Sequence, residues 1–377
     1  TALLLALTVS FLALLLATDG GVRAWDGDDD ADEVEEEDDD AFDFMSSTRD
    51  DIVEVECDGQ ECATEGGATA FDPREGVPSV WTRGLVTSKP KARSIVQEHA
   101  RAATKKEKRF SGETLGYVTP WNNRGYDWAK LFRSKFTYIS PVWLQVREDV
   151  EKVPLITGVH DIDRQWVLDV KHGVEGEEES GGEGPMMVPR VVYERNRLSS
   201  EDVPVIVAKL LVLVAEHGFD GVVFEIPVMA GTMDMLLQMG RAFQAAKKLL
   251  ILVLSRGSNE GELPVTHEMF AELAEVVHRF SMNAYDFATP GPNAPYPWLQ
   301  ATLEKMSPLE REKMLVGLPF YGYDNSGACE CQHVYTAAST GSHHVVFYPC
   351  LQFLHDRLEL YQEYGVGVAV WELGQGM

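Results

Sequence analysis

The stretch His217–Ala230, which reads HGFDGVVFEIPVMA, constrains the fold more than any other part of the sequence. Its apolar run is rich in Val, Phe and Ile, is punctuated by Gly218 and Gly221, and lies between two helical patterns. These features predict a buried parallel strand flanked by helices. Two acids, Asp220 and Glu225, interrupt the run. A carboxylate in a dry core must be hydrogen-bonded, paired or placed where the strand meets a pocket, so we expect a functional site near this strand.

The rest of the chain alternates strand and helix patterns, which predicts an α/β protein with a parallel sheet. Eight strands in succession favour a closed (β/α)8 TIM barrel over an open doubly wound sheet. The 377 residues, 45% of them apolar, are ample for a barrel of about 250 residues. The predicted strands are Leu115–Trp121, Lys135–Leu144, Met186–Tyr193, Gly221–Ile226, Leu249–Ser255, Arg279–Tyr285, Lys313–Tyr321 and Gly365–Trp371.

Three regions are predicted. Residues 1–20 contain the apolar run Ala2–Ala17, which is shorter than a comfortable membrane span. We interpret them as an N-terminally incomplete signal peptide, with an uncleaved signal anchor as the alternative. Residues 21–80 are expected to be an acidic, disordered segment, and residues 81–377 the barrel domain. These features predict the secretory pathway, a secreted or lysosomal protein, and no stable membrane span after signal cleavage.

The net charge of −27 is unevenly spread. Between Asp26 and Glu65 the chain has 20 of its 60 acids and a single base, Arg49. The remaining chain is mildly acidic and has no basic stripe, which argues against a nucleic-acid partner. Five cysteines suit an oxidising compartment but leave one without a partner in any set of internal pairs. No metal site and no cofactor are expected.

Aromatic and acidic residues recur together at the ends of the predicted strands. Carbohydrate rings present flat C–H faces and a rim of hydroxyls, so a sugar groove needs aromatic platforms beside carboxylates. A barrel keeps its site at this carboxyl end of its strands. The candidate glycan-binding residues are Tyr117, Trp121, Trp143, Glu225, Tyr285, Asp286, Tyr321, Trp371 and Glu372.

From Asp220 onward, the central strand resembles the fourth strand of glycoside hydrolase family 18, whose pattern is Asp-Gly-x-Asp-x-Asp-x-Glu. The four motif positions fall on Asp220, Val223, Glu225 and Pro227. The resemblance places the family's proton donor at Pro227, which has no titratable group. Glu225 lies about 6.6 Å earlier at ~3.3 Å per residue, too far for a general acid unless the substrate pose shifts. No catalytic residue is therefore assigned, and Glu225 is the weak candidate.

Other segments extend the resemblance from about Trp81 to the end. In the family, a Met-x-Tyr-Asp motif and a Trp line the sugar subsite; here Tyr285, Asp286 and Trp371 match them, with Asn283 in place of the Met. The segments GYVTPWN, SPVWLQV, GPNAPYPWL, HHVVFYP and WELGQG are similar to one branch, the stabilin-interacting chitinase-like (chitinase domain-containing protein 1) group. This resemblance implies a scavenger receptor as a partner.

The sequence departs from that branch in three places. The loop of residues 323–343 after the seventh strand is shorter, no final helix follows the eighth strand, and residues 173–185 form a Gly/Glu insertion expected to be a surface loop. Real divergence and a faulty gene model both explain the short loop.

The leading hypothesis is a chitinase-like lectin that binds chito-oligosaccharides or related N-acetylated glycans and does not cut them. Family hydrolysis is substrate-assisted, and loss of a general acid costs roughly 10²–10⁴ in rate. One rival is an active glycosidase that uses Glu225 or Glu372 as the acid. Another is an interaction protein with a vestigial groove.

Several candidates also have purely structural interpretations. Asp220 is expected to be a structural hydrogen-bonding residue, and Glu225 is either a pocket acid or a buried acid paired with a neighbour. Trp371 is interpreted as the floor of a pocket, with plain core as its alternative. For Tyr117 and Tyr321 the alternative is barrel packing with satisfied hydroxyls.

Overall fold

The structure, a computed structural model, describes residues 77–91, 94, 98, 108–174, 184–195, 199–257, 259, 261–287, 293–325, 332–336 and 343–375. For 323–325, 332–336 and 343–347 the description is limited to the backbone. These residues belong to one compact unit, Thr69–Met377. The predicted signal peptide, almost all of the acidic segment, the middle of the Gly/Glu insertion and every cysteine except Cys350 lie outside the described residues. Cys350 is disulfide-bonded.

Parallel strands form the centre of this unit. The first barrel strand is β1 (Thr114–Val118), and the second consists of two consecutive segments, β2 (Tyr138–Pro141) and β3 (Leu144–Glu148). The third likewise consists of β5 (Met186–Met187) and β6 (Arg190–Tyr193). The short strand β4 (Pro154–Thr157) forms an antiparallel hairpin with β3. The remaining barrel strands are β7 (Gly221–Glu225), β8 (Leu249–Leu254), β9 (Arg279–Met282), β10 (Met314–Pro319) and β14 (Gly367–Trp371).

The strand ladders close into a ring. β1 pairs in parallel with both β2 and β14, which joins the first barrel strand to the second and the eighth. β2 pairs with β5 and β3 with β6, so the second and third barrel strands remain adjacent across the short break in each. Parallel ladders then run from β6 through β7, β8, β9 and β10 to β14. The predicted (β/α)8 barrel is confirmed.

Helices pack around the outside of the ring. They are α1 (Arg124–Leu131), α2 (Arg164–His172), α3 (Asp202–Glu216), α4 (Met233–Ala245), α5 (His267–Ala274), α6 (Tyr296–Lys305), α7 (Pro308–Lys313) and α8 (Leu351–Tyr364). Their apolar sides and the outward side chains of the strands form one large buried cluster, which includes Phe219, Phe224, Phe243, Phe270 and Phe280. No helix in the described part of the chain is both long and apolar enough to cross a membrane.

A second, smaller buried cluster fills the interior of the barrel. It includes Leu115, Val223, Ile251, Leu315 and Ala369, each from a different strand of the ring. The interior is therefore a packed core rather than a channel, and a ligand can approach it only from an end of the ring.

The Asp-Gly pair before β7 shows why the central stretch folds as predicted. The Asp220 carboxylate accepts hydrogen bonds from Lys171 Nζ at 2.8 Å and from the Met187 backbone N–H at 2.7 Å. A Cβ on Gly221 would lie 2.1 Å from the carbonyl oxygen of Leu249, so only glycine allows this close approach of β7 and β8. The structural interpretation of Asp220 is thus confirmed.

A polar network closes the amino-terminal end of the barrel. Arg279 donates two hydrogen bonds to Glu113, at 2.6 and 2.8 Å. The Tyr138 hydroxyl lies 3.0 Å from Glu113 Oε2 and 2.7 Å from His278 Nε2. Burial, with a smaller effect of the Arg279 charge, lowers the pKa of His278 from 6.5 to about 4.

Two features follow the seventh and eighth barrel strands. After β10 the backbone forms a small antiparallel sheet of β11 (Tyr323–Asn325), β13 (His343–Phe347) and β12 (Gln332–Thr336), in that spatial order. After β14 comes a short 3-10 turn, Leu373–Gln375.

The predicted strands match the barrel strands in number and order, but several boundaries differ. The predicted second strand starts at Lys135, whereas residues Arg133–Lys135 form a 3-10 turn and the strand continues to Glu148. Other predicted strands run two or three residues too far, because aromatic residues of the following loops extend the apolar pattern. Those loop aromatics include Trp121, Tyr285 and Tyr321.

Candidate functional site at the barrel mouth

The carboxyl end of β7 is the centre of the candidate site. Glu225 is the last residue of this strand, and its side chain is 28% exposed. Pro227 lies two residues later, outside the strand and exposed. Its carbonyl oxygen accepts a hydrogen bond of 2.8 Å from Thr232 Oγ1, which ties the loop to the start of α4. The position at which the resemblance places an acid therefore faces solvent at the mouth and has no ionisable side chain.

Arg190 forms an ion pair with Glu225 from the neighbouring strand. Its Nε donates to Glu225 Oε2 at 2.7 Å, and its Nη2 contacts the same oxygen. Burial alone would lower the pKa of Arg190, but the charge and hydrogen bond of Glu225 together with Tyr117 and Tyr285 outweigh burial and raise that pKa, so the guanidinium remains charged. An ionised carboxylate accepts hydrogen bonds and has no proton to donate. Glu225 is therefore an acid paired with a neighbour, and its side chain remains partly open to the mouth.

Two aromatic rings contact the guanidinium, and a third stacks on one of them. The Arg190 Cζ lies 4.6 Å from the ring centroid of Trp371 and 5.4 Å from that of Tyr117. Tyr117 contacts Trp371 edge-on at 5.1 Å, and Tyr285 stacks on Trp371 at 6.5 Å with an interplanar angle of 26°. Trp371 is half-buried, so one part of the indole is fixed from below and the rest is accessible. This arrangement supports the interpretation of Trp371 as a pocket floor.

Glycine in β10 makes room for this aromatic group. A Cβ on Gly317 would lie 2.8 Å from a ring carbon of Tyr285 and 2.7 Å from the carbonyl oxygen of Met282. Any larger residue would push the Tyr285 ring away from Trp371. Burial raises the pKa of Tyr285 well above 10, so its hydroxyl stays protonated, and it donates to Asn283 Oδ1 at 2.9 Å.

The loop after β9 adds an exposed carboxylate. The Tyr321 hydroxyl donates to Asp286 Oδ1, and Tyr321 also contacts the edge of Tyr285 at 6.2 Å. The Asp286 backbone N–H donates to Asn293 Oδ1 at 2.9 Å, and Arg256 Nη2 donates to the Asp286 carbonyl at 3.3 Å. At the mouth the structure therefore brings together five of the predicted residues, which are Glu225, Tyr285, Asp286, Tyr321 and Trp371.

Glu372 is placed differently from its prediction. Its side chain is almost wholly buried, and its carboxylate accepts from Asn122 Nδ2 at 2.8 Å and from the Gly374 backbone N–H at 3.0 Å. Burial raises the pKa of Glu372, against the opposing effect of these hydrogen bonds. Trp371 is the last residue of β14, and Glu372 lies just beyond the strand. The prediction that Glu372 binds glycan is corrected, because its carboxylate fastens the end of β14 to the loop after β1.

Two further predicted platforms are also corrected. Trp143 is fully buried, donates from Nε1 to the Tyr126 hydroxyl at 2.7 Å and packs against Trp166 outside the barrel. Tyr117 lies inside the barrel below Trp371, with its hydroxyl 2.8 Å from Ser281 Oγ. Burial raises the pKa of Tyr117 to about 12. Trp143 is core and Tyr117 supports the floor, whereas Trp121 is 68% exposed after β1.

Sequence reasoning missed Arg190. The available signal was a lone charged residue in the apolar stretch MMVPRVVY, the third barrel strand. Such a residue needs a partner of opposite charge, and Glu225 on the adjacent strand was the nearest candidate. Among the described residues, no group of three or more His, Cys, Asp or Glu side chains is arranged to hold a metal ion.

Comparison with known proteins finds solved structures with a similar fold. No protein-family model matches the sequence. A chitinase from Chromobacterium violaceum ATCC 12472 is 17% identical and superposes with a TM-score of 0.55, covering 71% of this chain and 96% of its own. The spore cortex-lytic enzyme SleL of Bacillus megaterium QM B1551 is 14% identical, with a TM-score of 0.54 and coverage of 79% and 81%.

A plant class V chitinase mutant from Cycas revoluta, solved in complex with (GlcNAc)3, is 12% identical with a TM-score of 0.52. The alignment covers 70% of this chain and 96% of the plant chitinase. At such identities the likeness concerns the fold, because one barrel fold supports many chemistries. The chain described here has the (β/α)8 barrel fold that these chitinases and SleL share.

Proposed function

We propose that this protein is a chitinase-like lectin of glycoside hydrolase family 18 that holds chito-oligosaccharides or related N-acetylated glycans without cutting them. The proposal is supported by the order of sequence motifs, by the barrel shared with chitinases and by the aromatic floor around Trp371. One chitinase with this fold was solved with (GlcNAc)3 bound. The finer assignment to the stabilin-interacting branch, the scavenger-receptor partner and a secreted or lysosomal location belong to the same proposal.

The observation that carries the proposal is the combination of Pro227 and the paired Glu225 at the mouth. The exposed residue at the acid position is a proline, and the nearest inward carboxylate is hydrogen-bonded by Arg190. A general acid must hold a proton within about 3 Å of the leaving oxygen. Glu372, the other candidate acid, is buried and bonded to Asn122 and Gly374.

The test measures binding and turnover with the same full-length chain. Isothermal titration with chitotriose and chitotetraose is expected to show saturable binding, and a fluorogenic chitotrioside is expected to remain uncleaved. Glu225→Gln is the matched control, because it removes the partly exposed acid of β7. Neither the wild type nor this variant is expected to cleave the substrate. If the wild type cleaves it and Glu225→Gln does not, the protein is an active glycosidase instead.

The third interpretation, an interaction protein with a vestigial groove, makes a different prediction for the same titration. It predicts no heat of binding in the titration and no oligosaccharide signal on a glycan array. It also predicts that Trp371→Ala leaves receptor binding intact. A chitotetraose signal that Trp371→Ala removes would exclude it.

A further inference from the structure

The Arg190–Glu225 pair presents unused hydrogen-bonding groups to the mouth. Two nitrogens of Arg190, Nε and Nη2, contact the same oxygen, Glu225 Oε2. Within the described residues, Arg190 Nη1 has no protein acceptor and Glu225 Oε1 has no protein donor, and the two side chains are 11% and 28% exposed. The pair therefore retains one donor group and one acceptor oxygen in contact with solvent.

Solvent can reach this pair only from the carboxyl end of the strands. Arg190 lies beside Val223 in the strand register, and Val223 is part of the packed barrel interior. Below the pair, that interior is closed by Ile251, Leu315 and Ala369. Because the pair is open on one side only, a ligand that rests on Trp371 meets the guanidinium and the carboxylate together.

We propose that Arg190 is a specificity-determining residue that selects glycans carrying a neutral acetamido group and rejects those carrying a free ammonium group at the barrel mouth. This inference rests on the proposed glycan-binding function. A guanidinium donates hydrogen bonds to a carbonyl oxygen and repels a cation, whereas Glu225 without Arg190 would attract one. The positive charge of Arg190, which offsets that of Glu225, rather than the shape of the groove, then separates an N-acetylglucosamine unit from a glucosamine unit.

Other charges near the mouth do not provide this discrimination. The Asp286 carboxylate is exposed and accepts from Tyr321, so on its own it would favour a cationic sugar. Arg256 lies 4.3 Å from the centroid of Phe287 and donates to a backbone carbonyl, on the side of the mouth formed by the loop after β9. Arg190 is the guanidinium that contacts the indole floor.

The experiment is a charge series on the full-length protein at pH 5.5, where the amino group of glucosamine is protonated. Isothermal titration compares chitotetraose with the fully deacetylated tetramer. The wild type is expected to bind chitotetraose at least tenfold more tightly. Arg190→Met should reduce the ratio of the affinity for chitotetraose to that for the deacetylated tetramer at least tenfold. Glu225→Gln should increase this affinity ratio, and the ratio of the double variant should fall between those of the two single variants.

The matched control is Arg147→Met, which removes an exposed guanidinium from a comparable ion pair with Glu194 (2.8 Å) and changes the net charge equally. Its ratio should equal that of the wild type. If Arg190→Met weakens both tetramers by the same factor, its role is structural and the proposal is overturned. If Arg190→Met does not fold, Glu225→Gln provides the test, because an affinity ratio equal to that of the wild type in this variant also overturns the proposal. Failure of the proposed function would look different, because the wild type would then bind neither tetramer.

Discussion

The guanidinium of Arg190 lies 4.6 Å from the ring centroid of Trp371 and is hydrogen-bonded to Glu225 at 2.7 Å. A cation thus connects the aromatic floor of the mouth to the acid at the end of β7. Cation–π contacts of this kind contribute about 0.5–2 kcal/mol, and the ion pair keeps the guanidinium in place. The floor and the acid therefore form one unit, and a change to either should affect the other.

Trp371→Ala is expected to weaken binding of chitotetraose at least tenfold, since the variant removes the half-buried ring on which a sugar can stack. Aromatic contacts of this size contribute about 1 kcal/mol or more beyond area burial. Isothermal titration measures the loss. The control is Trp121→Ala, whose exposed side chain should leave the melting temperature of the protein unchanged. Equal chitotetraose affinities of the wild type and Trp371→Ala would place the ligand elsewhere.

Arg190→Met should destabilise the protein by about 3 kcal/mol, because it leaves Glu225 as a partly buried charge without its partner. The double variant with Glu225→Gln should recover part of that loss, since no unpaired charge remains. Urea unfolding of the four proteins completes the cycle. A double variant that is destabilised by the sum of the two single changes would show that the pair is not coupled.

The sequence predicted the barrel better than the site. The Asp220–Gly221 pair and the apolar run of β7 specify a buried strand by local chemistry, and the same holds for the other strands. The direction of individual side chains depends on where a strand ends. Trp143 was assigned to the end of the second strand, but that strand continues to Glu148 and the indole faces the outer core.

The same limitation explains the other corrections. Trp371 is the last residue of β14 and Glu372 lies beyond it, so the alternation of a strand does not give the direction of the Glu372 carboxylate. That direction depends on the hydrogen bond from Asn122, 250 residues earlier, a long-range contact that a local pattern does not contain. Arg190 was missed for the same reason, since its role depends on Glu225, 35 residues later.

His278 makes the stability of the protein depend on pH. The unfolded chain binds a proton at this residue near pH 6.5, whereas the folded pKa is about 4. Between these values the unfolded state holds more protons, so the free energy of unfolding should fall as pH drops from 6.5 toward 4. His278→Gln should lessen this loss, because Gln can still bond the Tyr138 hydroxyl and does not titrate.

Urea unfolding between pH 6.5 and pH 5 measures this effect, and comparing His278→Gln with the wild type cancels the contribution of Glu372, whose pKa burial raises. Burial opposes ionisation of Glu113, but the hydrogen bonds and charge of Arg279 together with Tyr138 and His278 outweigh burial and lower its pKa, so its contribution is lost as the pH falls below the ordinary value of 4.5. The matched control is His160→Gln, at an exposed histidine, which should keep the slope of the wild type. Equal slopes for His278→Gln and the wild type would contradict the prediction.

Glu372 and Asn122 should be energetically coupled. Glu372→Ala leaves the Asn122 amide and the Gly374 N–H without their acceptor, and each buried group without a partner costs about 1–3 kcal/mol. We expect Asn122→Ala and Glu372→Ala to destabilise the protein by less together than the sum of the single changes, with a coupling of about 1–2 kcal/mol. The folded Glu372→Ala protein should bind chitotetraose as the wild type does, because the carboxylate does not reach the mouth. If its affinity falls while Asn122→Ala binds normally, Glu372 contacts the glycan after all, and the position of this acid in the bound state differs from the one described here.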